Sequence, residues 1–182
     1  MSGLTTKLLT AAGEDEVPRS QSIYAIPGTY SWVCPEGVTS VSVVCVGGGG
    51  GASHAAGGVA YKTGGGGGAL AYKNNISVNP GQSYTVRVGA GGFHGYTHSN
   101  YGGTKVAGEA GGQSYFISPS TVSANGGGGG LISQVLQGYP HAAATYIGDG
   151  GGNGGRSGSS SSSAPSGRRG GGGGGAGGYS GA

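Results

Sequence analysis

Residues 41–51 read Val-Ser-Val-Val-Cys-Val-Gly-Gly-Gly-Gly-Gly, a β-forming stretch that passes without a turn residue into five consecutive glycines. In the strand half Val41, Val43 and Cys45 share one face and Ser42, Val44 and Val46 the other, so one face is wholly apolar and is expected to be buried. The glycine half has no side chain to bury, and each glycine loses more backbone freedom on ordering than any other residue. Alone, such a run stays disordered, so its structure depends on partners elsewhere in the chain.

Glycine runs recur at residues 64–68, 126–130, 150–152 and 170–175. A run of five or six glycines suits the extended left-handed polyproline II helix, with three residues per turn and a rise of about 3.1 Å. This helix has no internal hydrogen bonds. Its N–H and C=O groups point outward, and without Cβ atoms neighbours of either direction approach closely enough to bond. The fold class expected is therefore all-β with bundled polyglycine II helices: short antiparallel strands flanking a glycine-rich sandwich, with the glycines as core and helix only in an N-terminal arm.

Glycine and proline make up 49 and 7 of the 182 residues, a level usual for disordered chains, but the β pattern between the runs opposes disorder. Large apolar residues look too few for an ordinary two-layer core. Charged residues are only 8%, which suits a component of a packed assembly. A net charge of +3, with basic residues scattered apart from Arg168 and Arg169, gives no phosphate-tracking stripe, so no nucleic-acid partner is expected. The first residues lack a basic region followed by an apolar one, and no stretch reaches membrane-spanning length, which points to synthesis and assembly in a cytosol. Cys34 and Cys45 make no disulfide framework and read as reduced core cysteines.

The chain divides into an arm, residues 1–22, and a glycine-rich β domain, residues 23–182. Within the arm, residues 5–12 read as a short helix broken by 13–18, and the whole is either an attachment segment or a frayed terminus. Strands are expected over 24–33, with a bend at Pro27-Gly28, and over 38–46 after a turn at Pro35-Glu36-Gly37. Residues 69–78 and 83–88 read as a hairpin about Asn79-Pro80-Gly81, with short strands at 113–117 and 121–124. Three strand-plus-run units, 41–51, 121–130 and 145–152, follow no strict period, so a regular solenoid is not expected.

Pro27-Gly28-Thr29-Tyr30-Ser31-Trp32, then Pro35-Glu36-Gly37-Val38-Thr39-Ser40-Val41-Ser42-Val43-Val44 and the attached run, resemble the glycine-rich domain of bacteriophage tail fibres and adhesins. Residues 66–72, 79–92, Ala124-Asn125-Gly126 and Gly177-Gly178-Tyr179-Ser180-Gly181 are similar to that family's later blocks, in the same order. The resemblance covers residues 24–182. It implies a virion protein, made in the host cytoplasm and placed on a tail or fibre appendage, whose polyglycine scaffold carries host-contacting loops. The implied partners are other virion tail proteins, through the arm, and a host cell-surface glycan or outer-membrane protein. Fibres of this kind favour a homo-oligomer, a trimer above others.

Insertions between the matching blocks fall at 93–101 and 131–147, and both are rich in aromatics. Phe93, His94, Tyr96, His98 and Tyr101 in the first, with Tyr139, His141 and Tyr146 in the second, are the receptor-binding candidates, because aromatic faces stack on sugar C–H surfaces and bury area at low rotamer cost. The alternative is that these rings cover the flank of the glycine bundle. His94 and His98 have the i, i+4 spacing of a helical zinc pair, but Gly95 opposes a helix and no third ligand is adjacent, so no metal or cofactor is expected. No nucleophile elbow or phosphate loop appears, and Glu36, Glu109 and Asp149 are the only acidic residues outside the arm; the chain is not read as an enzyme. A glycine-rich nucleic-acid binder, an ice-binding bundle and a head decoration fibre are the competing readings.

Overall fold

Gly37 and Gly81 adopt φ of 77° and 75°, the positive region that lets the chain reverse in Pro-Glu-Gly and Asn-Pro-Gly sequences. In the computed structural model, which describes residues 20–55, 61–95, 105–133, 143–158 and 173–178, both turns carry the chain from one sheet to another. β1 (Gly28–Val33) pairs antiparallel with β6 (Ser83–Val88), Trp32 opposite Tyr84. β2 (Ser40–Val46) pairs antiparallel with β5 (Leu70–Ser77), Cys45 opposite Ala71. The two arches lie side by side, joined by bonds from Cys34 N–H to Gln82 O at 2.9 Å and from Gly81 N–H to Cys34 O at 2.8 Å. The hairpin expected of residues 69–78 and 83–88 is thus corrected. The turn stands where expected, but crossing between sheets sets the apolar residues of β5 and β6 face to face, where a hairpin would set them edge to edge.

The larger sheet has the strand order β1, β6, β8 (Ser114–Phe116), β9 (Val122–Ala124), β11 (Tyr146–Ile147), and the smaller has β12 (Gly150–Gly152), β5, β2. Every pairing in both sheets is antiparallel, and among the described residues every regular element is a strand. The glycine run 150–152, expected as a bundle segment, is instead a strand, Gly152 opposite Leu70. A bulge sets Ser42 against both Asn74 and Asn75, with Asn75 at φ 53°, a conformation that asparagine tolerates.

Between the sheets lies a side-chain core, which corrects the expectation that large apolar residues are too few for two layers. The core is built from small residues: Cys34, Cys45, Ala69, Ala71, Val122 and Ala124 are buried, with Ile76, Val78 and Phe116. Each fully buried valine or isoleucine contributes about 1.5–3 kcal/mol of transfer free energy. Trp32, Tyr84 and Phe116 wall the core on the β1 side, their ring centroids 5.8–6.0 Å apart. Ile117, after β8, holds φ 66°, an outlier for a β-branched residue; its N–H donates to Thr85 O at 2.8 Å and its side chain packs on the core, and these contacts keep it there.

Beyond the sheets the glycine segments bond to one another. Gly47, Gly50 and Ser53 donate to the carbonyls of Ala69, Gly66 and Thr63, at 2.9, 2.8 and 3.1 Å. Gly48 and Gly51 donate to Gly112 and Glu109, while Gly127 and Gly130 donate to Gly48 and Gly51, and Gly92 and Gly95 to Gly49 and Ala52. Bonds to one neighbour recur every third residue, where a β-ladder would repeat every second. The segment from Gly47 to Ser53 is thereby enclosed by two antiparallel and two parallel neighbours. None of these run glycines has a positive φ, so it is space and not backbone angle that demands glycine. A Cβ on Gly50 would fall on the carbonyl of Gly128, and one on Gly127 on the carbonyl of Gly66.

Gly49 differs, for its Cβ would have only Gly66 O nearby, at 3.9 Å. Gly49→Ala is therefore expected to be neutral or to stabilise by up to about 1 kcal/mol through the unfolded state. Gly50→Ala or Gly127→Ala should cost more than about 3 kcal/mol or abolish folding, since both neighbours are backbone. Urea denaturation of the three variants checks this, and equal losses at Gly49 and Gly50 would refute close packing of the segments.

Candidate contact surface

The glycine segments run out from the sheets and return to them. Residues 47–53 leave β2 and 63–69 return to β5; 89–95 leave β6 and 107–113 return to β8; 125–131 leave β9. Ser114 sits at the junction, its hydroxyl accepting from Gly89 N–H at 2.9 Å and donating to Val46 O at 2.6 Å, which fixes where sheet ends and bundle begins. At the far end two short ladders close the bundle: β3 (His54–Ala55) with β7 (Lys105–Val106), and β4 (Tyr61–Lys62) with β10 (Ile132–Ser133). Thr63 links the two, its N–H and hydroxyl donating to Leu131 O and its hydroxyl accepting from Leu131 N–H beside β10, while its carbonyl accepts from the N–H of Ser53, next to β3.

The consequence is a sorting of connections by pole. The turns at 36–37, 80–81 and 119–121 lie at the sheet pole. The described residues that bracket 56–60 and 96–104, together with Ser133, stand at the bundle pole. Gly174, which follows the bracketing Gly173, donates to Gly65 O at 2.9 Å in the outer part of the same bundle.

Of the receptor-binding candidates, Tyr96, His98, Tyr101, Tyr139 and His141 lie outside the described residues. Phe93 and His94 are at the bundle pole. The Phe93 backbone belongs to the bundle, its carbonyl accepting from Glu109 N–H at 2.8 Å, while its ring is 73% exposed; at this position the ring does not cover the bundle's flank. His94 is exposed and engaged in a contact. Tyr146 stands apart on β11, partly buried and packed against the sheet core. His54, on β3, joins Phe93 and His94 at the same pole: parallel bonding of Gly92 and Gly95 to Gly49 and Ala52 sets the two stretches side by side. Distance in sequence hides this neighbour; the signal available is that each stretch leaves the end of a glycine segment.

The chemistry of the remaining polar and thiol groups is structural. Asn125 bridges Gln113 and Thr145 through its side-chain amide, at 2.7 and 2.9 Å. Asp149 accepts from Asn74 N–H at 2.8 Å. Among the described residues no three His, Cys, Asp or Glu side chains stand close enough to hold a metal. Cys34 is buried and its thiol donates to Val38 O at 3.2 Å; burial, and secondarily the Glu36 charge, raise its pKa. Burial pushes the Cys45 thiol up to about 11, far from the lowered values of reactive thiols.

The family model for a glycine-rich domain matches residues 24–182, and the chain belongs to that family. No curated protein matches it significantly.

Because the folded state holds Cys45 as a thiol, its stability contribution is complete below about pH 9 and is lost as pH rises toward about 11. Denaturation midpoints should fall across that window, and Cys45→Ala should reduce the slope, leaving the part that Cys34 contributes. An unchanged slope in Cys45→Ala would refute the assignment.

Proposed function

We propose that this chain is a structural component of a phage virion appendage, a tail fibre or fibre tip, that contributes to host attachment through loops carried on a polyglycine scaffold. One observation carries the reading: segments 56–60 and 96–104 are bracketed at one pole of the glycine bundle, as is the start of 134–142, beside an outward-standing Phe93. A bundle tied by main-chain bonds gives such loops a rigid base, and rigid support lowers the ordering cost of binding. Membership of a glycine-rich domain family and the ordered blocks that resemble phage adhesins support the same reading.

On this reading the chain binds and builds, and it is not an enzyme. Its place is the virion, on a tail or fibre appendage, after synthesis in the host cytoplasm. The arm, residues 1–22, meets other virion proteins, and the loops meet a host-surface glycan or outer-membrane protein. Several copies assemble, with a trimer favoured by analogy with the tail fibres that the chain resembles.

Gold-labelled antibody against this chain should decorate the tail or fibre tips of intact particles; decoration of heads, or of nothing, would refute the location. Purified full-length protein should bind host cells, and Tyr96→Ala with Tyr101→Ala should weaken binding at least about tenfold, as loss of aromatic anchors does. Undiminished binding by that variant would exclude the 93–101 loop as the contact.

A further inference from the structure

Three segments far apart in sequence meet where the bundle ends. β3 and β7 set His54 opposite Val106 and Ala55 opposite Lys105. Residues 93–95 lie against this ladder, since Gly95 N–H donates to Ala52 O at 2.8 Å and a Cβ on Gly95 would fall on Val106 O and 3.0 Å from His54 N. His54 and His94 are thereby neighbours, with Lys105 one register step along the same ladder. The second ladder of the pole places Lys62 opposite Ile132, and the hydroxyl of Ser53, beside His54, accepts from Thr63 N–H, beside Lys62, at 3.1 Å. The side chains of His54, His94 and Phe93 are exposed.

The charges at this pole have one sign. The acidic residues of the chain are Glu14, Asp15, Glu16, Glu36, Glu109 and Asp149, and none falls within 54–62 or 93–106. Glu36 belongs to a turn at the opposite pole, and Asp149 is bonded to Asn74 N–H among the sheets. Among the described residues Glu109 is the carboxylate nearest the bundle pole. Its N–H donates to Phe93 O and its carbonyl accepts from Gly51 N–H, which sets it one turn of the glycine helix, about 9 Å, behind His54. Between exposed groups an interaction over that distance is largely screened at physiological salt. Tyr61, opposite Ser133, is the other titratable residue of the two ladders. Lys62 and Lys105 make the pole positive at neutral pH, and histidine is the residue type that gains charge between pH 8 and 5.

We propose that this pole binds an acidic saccharide, with His54 and His94 taking its carboxylate or phosphate groups, Lys62 and Lys105 supplying positive potential, and the Phe93 ring stacking on the sugar C–H face. Binding is then tighter in acid. The inference rests on the reading of this pole as the attachment surface, and it names the chemical class of the glycan met there. Carboxylate and phosphate sugars offer the same anionic oxygens for charge-assisted hydrogen bonds. A neutral sugar would use Phe93 alone and leave the cations without a role, and it would give no dependence on acid.

Binding of the full chain to oligogalacturonate, to a phosphorylated mannan and to neutral dextran tests it, at about pH 5.5 and about pH 7.5. At the lower pH at least one acidic polymer should bind at least about tenfold more tightly than dextran, and the preference between the two names the anion. That advantage should fall at least about fivefold at the higher pH. His54→Gln with His94→Gln should lose most of the gain in acid, and Phe93→Ala should weaken binding at both pH values; unchanged Trp32 emission shows that the sheets of each variant are intact. Equal affinity for dextran and both acidic polymers, no gain in acid, or a gain kept in full by the histidine pair overturns the proposal. Should it fall, host-cell binding that acidic polymers do not compete with would leave the attachment reading standing with another receptor, and absence of cell binding would remove that reading as well.

Discussion

Hydrogen bonds between the peptide groups of separate glycine segments are the constraint on which this structure depends. The segment from Gly47 to Ser53 gives and receives such bonds on several sides, and the neighbouring carbonyls come so close that a single Cβ on Gly50 or Gly127 would meet backbone. Each bond contributes only about 1 kcal/mol net, while ordering a glycine costs at least as much. The bundle is therefore not a self-sufficient fold. Its stability follows from most of its segments adjoining strands whose place is already fixed. β2 continues into 47–53, β5 receives 63–69, β6 continues into 89–95 and β9 into 125–131. The side-chain core between the sheets sets direction and register, and the glycines propagate that register outward.

This division of labour explains what the sequence discloses. The alternation of Val41, Val43 and Cys45 and the turn glycines Gly37 and Gly81 act locally or through simple period, and they predict strands and turns correctly. Pairing is different. Residues 69–78 and 83–88 are joined by a tight turn and still belong to different sheets, because β5 is held between β2 and β12, and β6 between β1 and β8. Such choices depend on which apolar faces meet across the core, and turn chemistry does not encode that. The run 150–152 is misread for a related reason: identical glycines serve as ladder or bundle according to the neighbour, here Leu70 to Tyr72. The core was underestimated because its alanines and cysteines are small, and counting large residues overlooks them.

The candidate contact surface is legible as composition and not as geometry. Aromatics in 93–101 are visible in sequence, and Phe93 does stand in solvent. Tyr146 shares that composition but belongs to β11 and the sheet core, while His54 arrives at the Phe93 pole from a different segment. Segregation of turns to one pole and long connections to the other follows from each strand continuing outward as glycine. A bundle end at which long connections begin and return is the property that the proposed attachment role requires.

The most direct measurement is amide hydrogen exchange combined with cross-hydrogen-bond couplings, in which a bonded N–H correlates with the carbonyl carbon of its acceptor. The account predicts correlations from Gly50 to Gly66, from Gly127 to Gly48 and from Gly130 to Gly51, with exchange at these amides as slow as in the β2 and β5 ladder. Exchange at the rate of free peptide, with no such correlations, would show that the glycine segments are solvated and would contradict it.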